Sequence, residues 1–251
     1  MRHAVIGVGE VGGAILANLR DHFGSAAVGF DLGEEKDFSA WAAFPQPYYM
    51  HVCYPYSNKF LPSLEAWVRL GEPHRCSGIV IHSSTRPGTV NKWNRMVSAS
   101  NSGLPIATHS PVNGKHVTSR TMETYIRTLP KFFSGPNEKA ITRELREVWD
   151  ICWLNDNPNT SEMMKLLATS YYGMLICWTQ YIHKMCKDKN LEYEKVMSVF
   201  REIDSEDWRI DNKYPGKWGG HCIEPNFEML MELAPHPLLE ALWQLNAEHE
   251  D

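Results

Sequence analysis

Near the start of the chain, HAVIGVGEVGG sets a short apolar run, residues 3–6, directly against Gly7-Val8-Gly9-Glu10-Val11-Gly12 and a further Gly13. Few local patterns restrict a fold more. A β-branched run closed by glycines reads as a buried parallel strand, and residues 14–19 beyond it read as an apolar helix with Arg20 and Asp21 near its end. A second strand, 26–30, ends at Asp31. In that order each residue has a task in holding a dinucleotide. Gly7 makes the tight turn, Gly9 lets the backbone meet a pyrophosphate, and Gly12 lets helix and strand pack closely. Glu10 and Val11 open the helix whose N-terminus faces the negative charge. Asp31 is placed to accept hydrogen bonds from the adenosine ribose and to repel a 2′-phosphate, which selects NAD over NADP. The competing reading is a glycine turn in some other α/β fold.

Strand and helix patterns then alternate: strands at 48–53, 78–82 and 104–108, helices at 60–70 and 91–96, and a last strand at 132–135. This predicts a Rossmann-type, doubly wound parallel sheet with helices on both faces. Ligands of such sheets sit beyond the carboxyl ends of the strands, which places Tyr54, Pro55, Ser84, Thr85 and Ser110 on the ligand side. Taken singly, each also reads as a residue that merely ends a strand. The stretch between Asp31 and Tyr48 is too short for a full helix-strand unit, so the sheet is abbreviated there. Residues 138–153 predict one amphipathic helix, with Ile141, Leu145, Val148, Trp149 and Cys152 at helical spacing. The polar, proline-bearing linker 154–160 then divides a nucleotide domain, 1–154, from an all-helical domain, 155–251.

Residues 161–187 form the longest helical pattern, capped by Thr160 or Ser161 and stopped around 187–190. Its apolar residues occupy most of the circumference, and such a helix is buried. In a chain of 251 residues that predicts a homodimer built on this helix. Lys165, Thr169 and Tyr172 make one polar-capable stripe on it, and Lys165 either snorkels to water or serves a buried anion. Helices at 193–203 and 237–248 follow, with Trp208-Arg209-Ile210 between them.

A net charge of -5 supplies no electrostatic footprint for nucleic acid, and no basic run suits a membrane surface. No apolar stretch is long enough to span a bilayer, and the N-terminal run is too short for a signal peptide's core. The six cysteines contain no CxxC pair and no Cys/His cluster at zinc spacing. A soluble, cytoplasmic protein without a metal is expected.

The other feature that carries chemistry is YPGKWGGHCIEPNFEML, a glycine-rich loop that brings Cys222 to the mouth of a helix. Gly219 and Gly220 offer unusual backbone conformations and room for a ligand, and Pro215 and Pro225 stiffen the flanks. Alone, it also reads as a surface turn with an incidental cysteine. Six strings together carry a resemblance, however: GVGEVGG, SSTRPGT, SEMMK, WRI, PGKWGGHCIEP and LLEALWQLN. With them the chain resembles the UDP-glucose/GDP-mannose dehydrogenase family almost from end to end. That family oxidises a sugar alcohol to a carboxylate with NAD.

The resemblance implies that Cys222 is the nucleophile, capturing an aldehyde as a thiohemiacetal that is oxidised to a thioester and hydrolysed. Lys165 would stabilise the oxyanion, and Thr85 would hold a water or line the nicotinamide site. Three positions depart from the family pattern. Val112 follows Pro111 where a glutamate is usual, Thr169 replaces an asparagine, and Asn226 replaces an aspartate. The sequence also ends at Asp251, where the family's nucleotide-sugar-gripping domain would begin. The expectation is therefore an NAD-dependent oxidoreductase acting on a hydroxyl of a small polar or sugar-like substrate. The alternatives are an idle NAD-binding sensor or assembly protein, and a chain that borrows a nucleotide-binding subunit.

Overall fold

A computed structural model of the chain describes residues 1–31, 41, 47–70, 76–100, 103–113, 122–136, 138–204 and 216–249. It divides into two compact units, Met1–Lys165 and Leu166–Asp251. The Trp208-Arg209-Ile210 string and Pro215 lie outside the described residues.

The first unit is built on β1 (Arg2–Ile6), α1 (Glu10–Phe23), β2 (Ala27–Phe30), β3 (Tyr48–Val52), α2 (Phe60–Leu70), β4 (Cys76–Ile81), α3 (Thr89–Ser100) and β5 (Ala107–His109). It continues through α4 (Met122–Thr128), β6 (Lys131–Ser134), α5 (Glu138–Leu145) and β7 (Ile151–Asn155). The strands form one sheet in the order β2-β1-β3-β4-β5-β6-β7. The first five are mutually parallel, and β6, joined to β5 through His109 and Ser134, runs antiparallel with β7 alongside it. This is the mostly parallel Rossmann-like sheet that the alternation predicts.

Strand residues alternate between two buried faces, as a doubly covered sheet requires. Ala4, Ile6, Met50, Val52, Ile79 and Ile81 pack with Leu64 and Trp67 of α2 and Val90 and Trp93 of α3. Val5, Tyr49, Val80 and Phe133 face Ile15 and Leu19 of α1, Ile126 of α4 and Ile141 of α5.

One helix is not as predicted. The pattern over 138–153 suggests a single helix, but α5 stops at Leu145 and Ile151–Asn155 pairs in parallel with β6 as β7. Ile141, Leu145 and Trp149 are core residues, as their spacing suggests. The backbone beyond them instead satisfies the open edge of β6, an interaction with no local signature. Leu154 and Asn155 of the expected linker accordingly belong to a strand.

The long helix α6 (Asn159–Asp188) begins in the first unit and runs on into the second. It stops where Asn190 takes a positive φ of 54° and the Leu191 amide bonds back to the Cys186 carbonyl at 2.8 Å, a Schellman-type end. With α7 (Tyr193–Asp204), α8 (Gly220–Leu233) and α9 (Pro237–Ala247), it completes the helical second unit. The core of that unit gathers Cys177, Trp218 and Phe227 with Ile223, Leu242 and Trp243. The reading of the long helix as apolar on nearly all sides needs refinement. Leu167, Tyr171, Trp178, Tyr181 and Met185 lie on one exposed stripe. Among the described residues, no helix is long and apolar enough to cross a membrane.

Candidate functional site

The glycine turn is built by steric necessity. Gly7 has φ +87°, and a Cβ there would lie 2.9 Å from the Tyr54 nitrogen. A Cβ on Gly12 would come within 1.7 Å of the Gly7 carbonyl oxygen, so only hydrogen fits between α1 and the turn. Gly9 is different: a Cβ there would meet nothing within 4 Å. It sits at the N-cap of α1 with no side-chain cap, followed by Glu10 and Val11 in the first helical turn. The structure therefore has a closed side at Gly7 and Gly12 and an open side at Gly9, at the N-terminus of α1. Asp31 directly follows β2, the strand beside β1. Gly29 went unnoticed in the sequence. A Cβ on it would meet the Val8 and Leu16 side-chain methyls at 2.5 and 2.6 Å, so β2 packs closely on the turn there and those side chains would have to shift.

Tyr54 backs this turn. Its ring packs on Phe60, its hydroxyl donates to the Phe60 carbonyl at 3.3 Å, and burial raises its ionisation well above the ordinary phenol range. Pro55 beside it is exposed and Ser84 half-buried, whereas Ser83 is buried and donates to the Tyr54 carbonyl at 2.6 Å. Ser83 thus ties the loop after β4 to the loop after β3.

Thr85 is fully buried, and its neighbour explains why. Glu162, in the first turn of α6, accepts from the Thr85 hydroxyl at 2.9 Å, the Gly88 amide at 2.8 Å and the Val90 amide at 3.1 Å. Its carboxyl caps the N-terminus of α3 and fixes the SSTRPGT turn, which reverses at Gly88 with φ +96°. Burial pushes the Glu162 carboxyl above its ordinary range against the pull of those three donors. The resemblance points to the lysine of SEMMK; Ser161 and Glu162 are the buried members of that string.

His109, at the end of β5, lies 2.8 Å from the Ser161 hydroxyl through Nδ1 and 3.1 Å from the Ser83 carbonyl through Nε2. The carbonyl only accepts, so Nε2 carries the proton and Nδ1 accepts from Ser161. Burial holds His109 neutral, down to about 3, with the Lys131 and Lys165 charges adding to the effect. Lys165 is half-buried and close enough to bear on both His109 and Lys131. Val112, at the position where the resemblance leads one to expect a glutamate, is buried in the apolar cluster under α1 and α5.

In the second unit Cys222 lies exposed in the first turn of α8. A helix N-terminus favours an anion at such a place. One turn on, Asn226 is buried and donates to the Cys222 carbonyl at 2.6 Å, while its Oδ1 accepts nothing from the described residues. Thr169, half-buried on α6, stands one turn beyond Lys165. Two expectations for the loop need correction. Gly219 is extended at φ -170°, a conformation open to any residue, so it contributes room rather than unusual torsion. Pro225 lies inside α8 rather than on its flank.

The loop is clamped from both sides. Asn246 of α9 accepts from the Trp218 amide at 2.7 Å and donates to the Trp218 carbonyl at 2.8 Å, pairing with it as a neighbouring strand would. Gln180 of α6 donates to the Gly216 carbonyl at 2.9 Å and to Asn246 at 3.1 Å. The Trp218 indole donates to the Cys177 sulfur at 2.8 Å. None of these three clamp residues was singled out in the sequence, although Asn246 ends the LLEALWQLN string.

Residues 159–248 match the model of the UDP-glucose/GDP-mannose dehydrogenase family, central domain. A search of curated protein sequences found no match. Among solved structures, a UDP-D-ManNAc dehydrogenase from Pyrococcus horikoshii superposes with a TM-score of 0.77 at 16% identity, over 99% of this chain and 69% of that one. A UDP-glucose dehydrogenase from Pyrobaculum islandicum gives 0.75 at 16% identity, over 98% and 68%. A 3-hydroxyisobutyrate dehydrogenase from Mycobacterium tuberculosis gives 0.65 at 15% identity, over 100% and 96%. Segment 159–248 is thus similar in sequence to the central domain of that family, and the chain as a whole has the fold of those dehydrogenases.

Proposed function

We propose that the protein is an NAD-dependent oxidoreductase that oxidises a hydroxyl of a small polar or sugar-like substrate, with Cys222 as nucleophile. What carries the reading is the turn at Gly7–Gly12, closed on the strand side and open at Gly9, in a chain whose family-matched segment bears Cys222. NAD, when bound, would accept the hydride that the alcohol carbon loses. The Gly9 backbone and the start of α1 would hold its pyrophosphate, and Asp31 its ribose. The Cys222 thiolate would add to the resulting carbonyl, the Lys165 ammonium would stabilise the oxyanion, and loss of a second hydride, to a second NAD, would turn the thiohemiacetal into a thioester. The Asn226 Oδ1, a buried acceptor without a partner among the described residues, would orient a water or substrate hydroxyl. An amide cannot take up that proton as a carboxylate would, which makes thioester hydrolysis the slow step. Thr85 would act through its place in the turn that Glu162 fixes, and Thr169 through its place one turn beyond Lys165.

Incubation with NAD and a panel of small alcohols and sugars, with separate assays for aldehyde and acid, tests this. Cys222→Ala is expected to abolish acid formation, and Lys165→Ala to slow turnover at least about 100-fold. Full turnover in both variants would sink the reading.

The exposed stripe of α6 supports a homodimer. Leu167, Tyr171, Met174, Trp178, Tyr181 and Met185 follow a four-then-three spacing, the period of a seam between paired helices. A second copy of this chain would cover it, and Trp178→Glu is then expected to shift the sedimenting species from dimer to monomer. An unchanged wild-type monomer would refute this.

A further inference from the structure

Three strands of the first unit place a buried histidine on the same face of the sheet: His3 on β1, His51 on β3 and His82 just beyond β4. Their rings form a chain. Nδ1 of His3 lies 3.0 Å from Nε2 of His51, and Nδ1 of His51 lies 2.9 Å from Nε2 of His82. At one end, Nδ1 of His82 is 2.8 Å from the Ser110 carbonyl and 3.1 Å from Nζ of the buried Lys131. That Nζ also reaches the Ser110 and Pro111 carbonyls at 3.1 and 3.4 Å. At the other end, Nε2 of His3 is 3.4 Å from the Glu144 carboxylate, an ion-pair contact without hydrogen-bond geometry that must close for a proton to cross; that carboxylate is partly exposed and pairs with the Met1 amino group. Trp149 stands edge-on to both His51 and His82.

The chain has two protonation patterns; the 2.8 Å contact between Nδ1 of His82 and the Ser110 carbonyl, which only accepts, is a hydrogen bond in the second alone, and in the first the Lys131 ammonium bridges those two acceptors. In the first, the Lys131 ammonium donates to Nδ1 of His82, and each ring donates from Nε2 to the next, ending at Glu144. In the second, Lys131 is a neutral amine and Nδ1–H of His82 donates to the Ser110 carbonyl. His51 and His3 then also hold the proton on Nδ1, and the carboxyl of Glu144 carries the one displaced. We propose that His82, His51 and His3 are a proton relay that moves one proton between Lys131 and Glu144. The balance is simple: Lys131 gives a proton to Nδ1 of His82, each ring passes on its Nε2 proton, and Glu144 receives one and exchanges it with water. No ring stays charged, which suits imidazoles held neutral by burial.

The relay supplies a water-excluded lysine with an exchange route, and it stands whether or not the oxidation proposed above occurs. Burial brings Lys131 down to about 7, so the two patterns exchange near neutral pH. The other titratable or charged groups facing the chain are His22 of α1, Tyr49 of β3, Cys53 after it, His109 of β5 and Lys165 of α6. Cys53 touches the glycine turn, since its Cβ lies 3.1 Å from where a Gly12 Cβ would sit, so the charge on Lys131 is felt beside that turn.

Long-range proton–nitrogen NMR of the full chain labelled with 15N-histidine, from about pH 5.5 to about 9, reads the tautomer of each ring. The relay requires all three rings to pass together from Nε2–H to Nδ1–H as pH rises, with one shared midpoint. Lys131→Met should leave Nδ1–H on all three at every pH. In His51→Phe, His82 should still switch while His3 does not. Three wild-type rings that keep one tautomer throughout, or that become imidazolium one by one, would overturn the relay. A switch that persists in Lys131→Met would do so as well.

Discussion

The two loops that carry the proposed chemistry are held in place by opposite means. The glycine turn of the first unit is fixed by what is missing: hydrogens at Gly7, Gly12 and Gly29 admit backbone and side chains that a Cβ would displace. The cysteine loop of the second unit is fixed by what has been added, three polar or sulfur side chains reaching in from α6 and α9. Steric closure is local and unforgiving. A hydrogen-bond clamp is spread over distant residues, and its members fail one at a time.

That difference sets the size of the effects. Gly12→Val should be the most damaging change, because its Cβ would meet the Gly7 oxygen at 1.7 Å and neither backbone can retreat. A loss of about 3 kcal/mol or more is expected in urea unfolding, together with loss of dinucleotide binding. Near-normal stability would mean that the turn is looser than described.

Asn246→Ala comes next. It strips the Trp218 amide and carbonyl of their partner inside a buried core, for about 2–3 kcal/mol. The loss should appear in the fluorescence of the second unit and in a slower alkylation of Cys222, with the first unit unaffected. Uniform destabilisation of both units would contradict independent clamping.

Acid should separate the units further. Among the described residues the buried histidines, His3, His51, His82 and His109, all belong to the first unit. Burial lowers His3 to about 4 and His109 to about 3 from the ordinary 6.5. An unfolded chain therefore binds more protons than the folded one below 6.5, so the stability present above that pH is lost as pH falls toward those lower values. Each such histidine contributes a slope of about 1.4 kcal/mol per pH unit. Unfolding followed at pH 5 should show the first unit failing before the second. The smallest effect is expected from Cys177→Val, which takes the acceptor from the Trp218 indole and should cost about 1 kcal/mol by thermal unfolding.

The same contrast explains what the sequence could reveal. The glycine turn is legible because its strand, glycines and helix fall within one short stretch, with Gly7 and Gly12 each required on steric grounds. The alternation of strands and helices is legible for the same reason, as is the stop of α6 near Asn190. Strand β7 was not, because its pairing with β6 satisfies backbone groups whatever the side-chain spacing suggests. Glu162 was passed over because its partner Thr85 lies 77 residues away. The histidine chain joins positions 48 and 31 residues apart, a juxtaposition created only by the strand order β1-β3-β4. Asn246 is likewise visible only as the end of a string until Trp218 is seen folded against it.

The central claim is that this chain holds a dinucleotide over Gly9, and a fluorescence titration of the purified protein with NADH, against NADPH and with Gly9→Ala in parallel, tests it most directly. Saturable binding that prefers NADH is expected from Asp31. Gly9→Ala should weaken it at least about tenfold while changing the unfolding free energy by no more than about 0.5 kcal/mol, since a Cβ there meets nothing within 4 Å. Absence of binding by either nucleotide, or binding that Gly9→Ala leaves intact, would contradict the account.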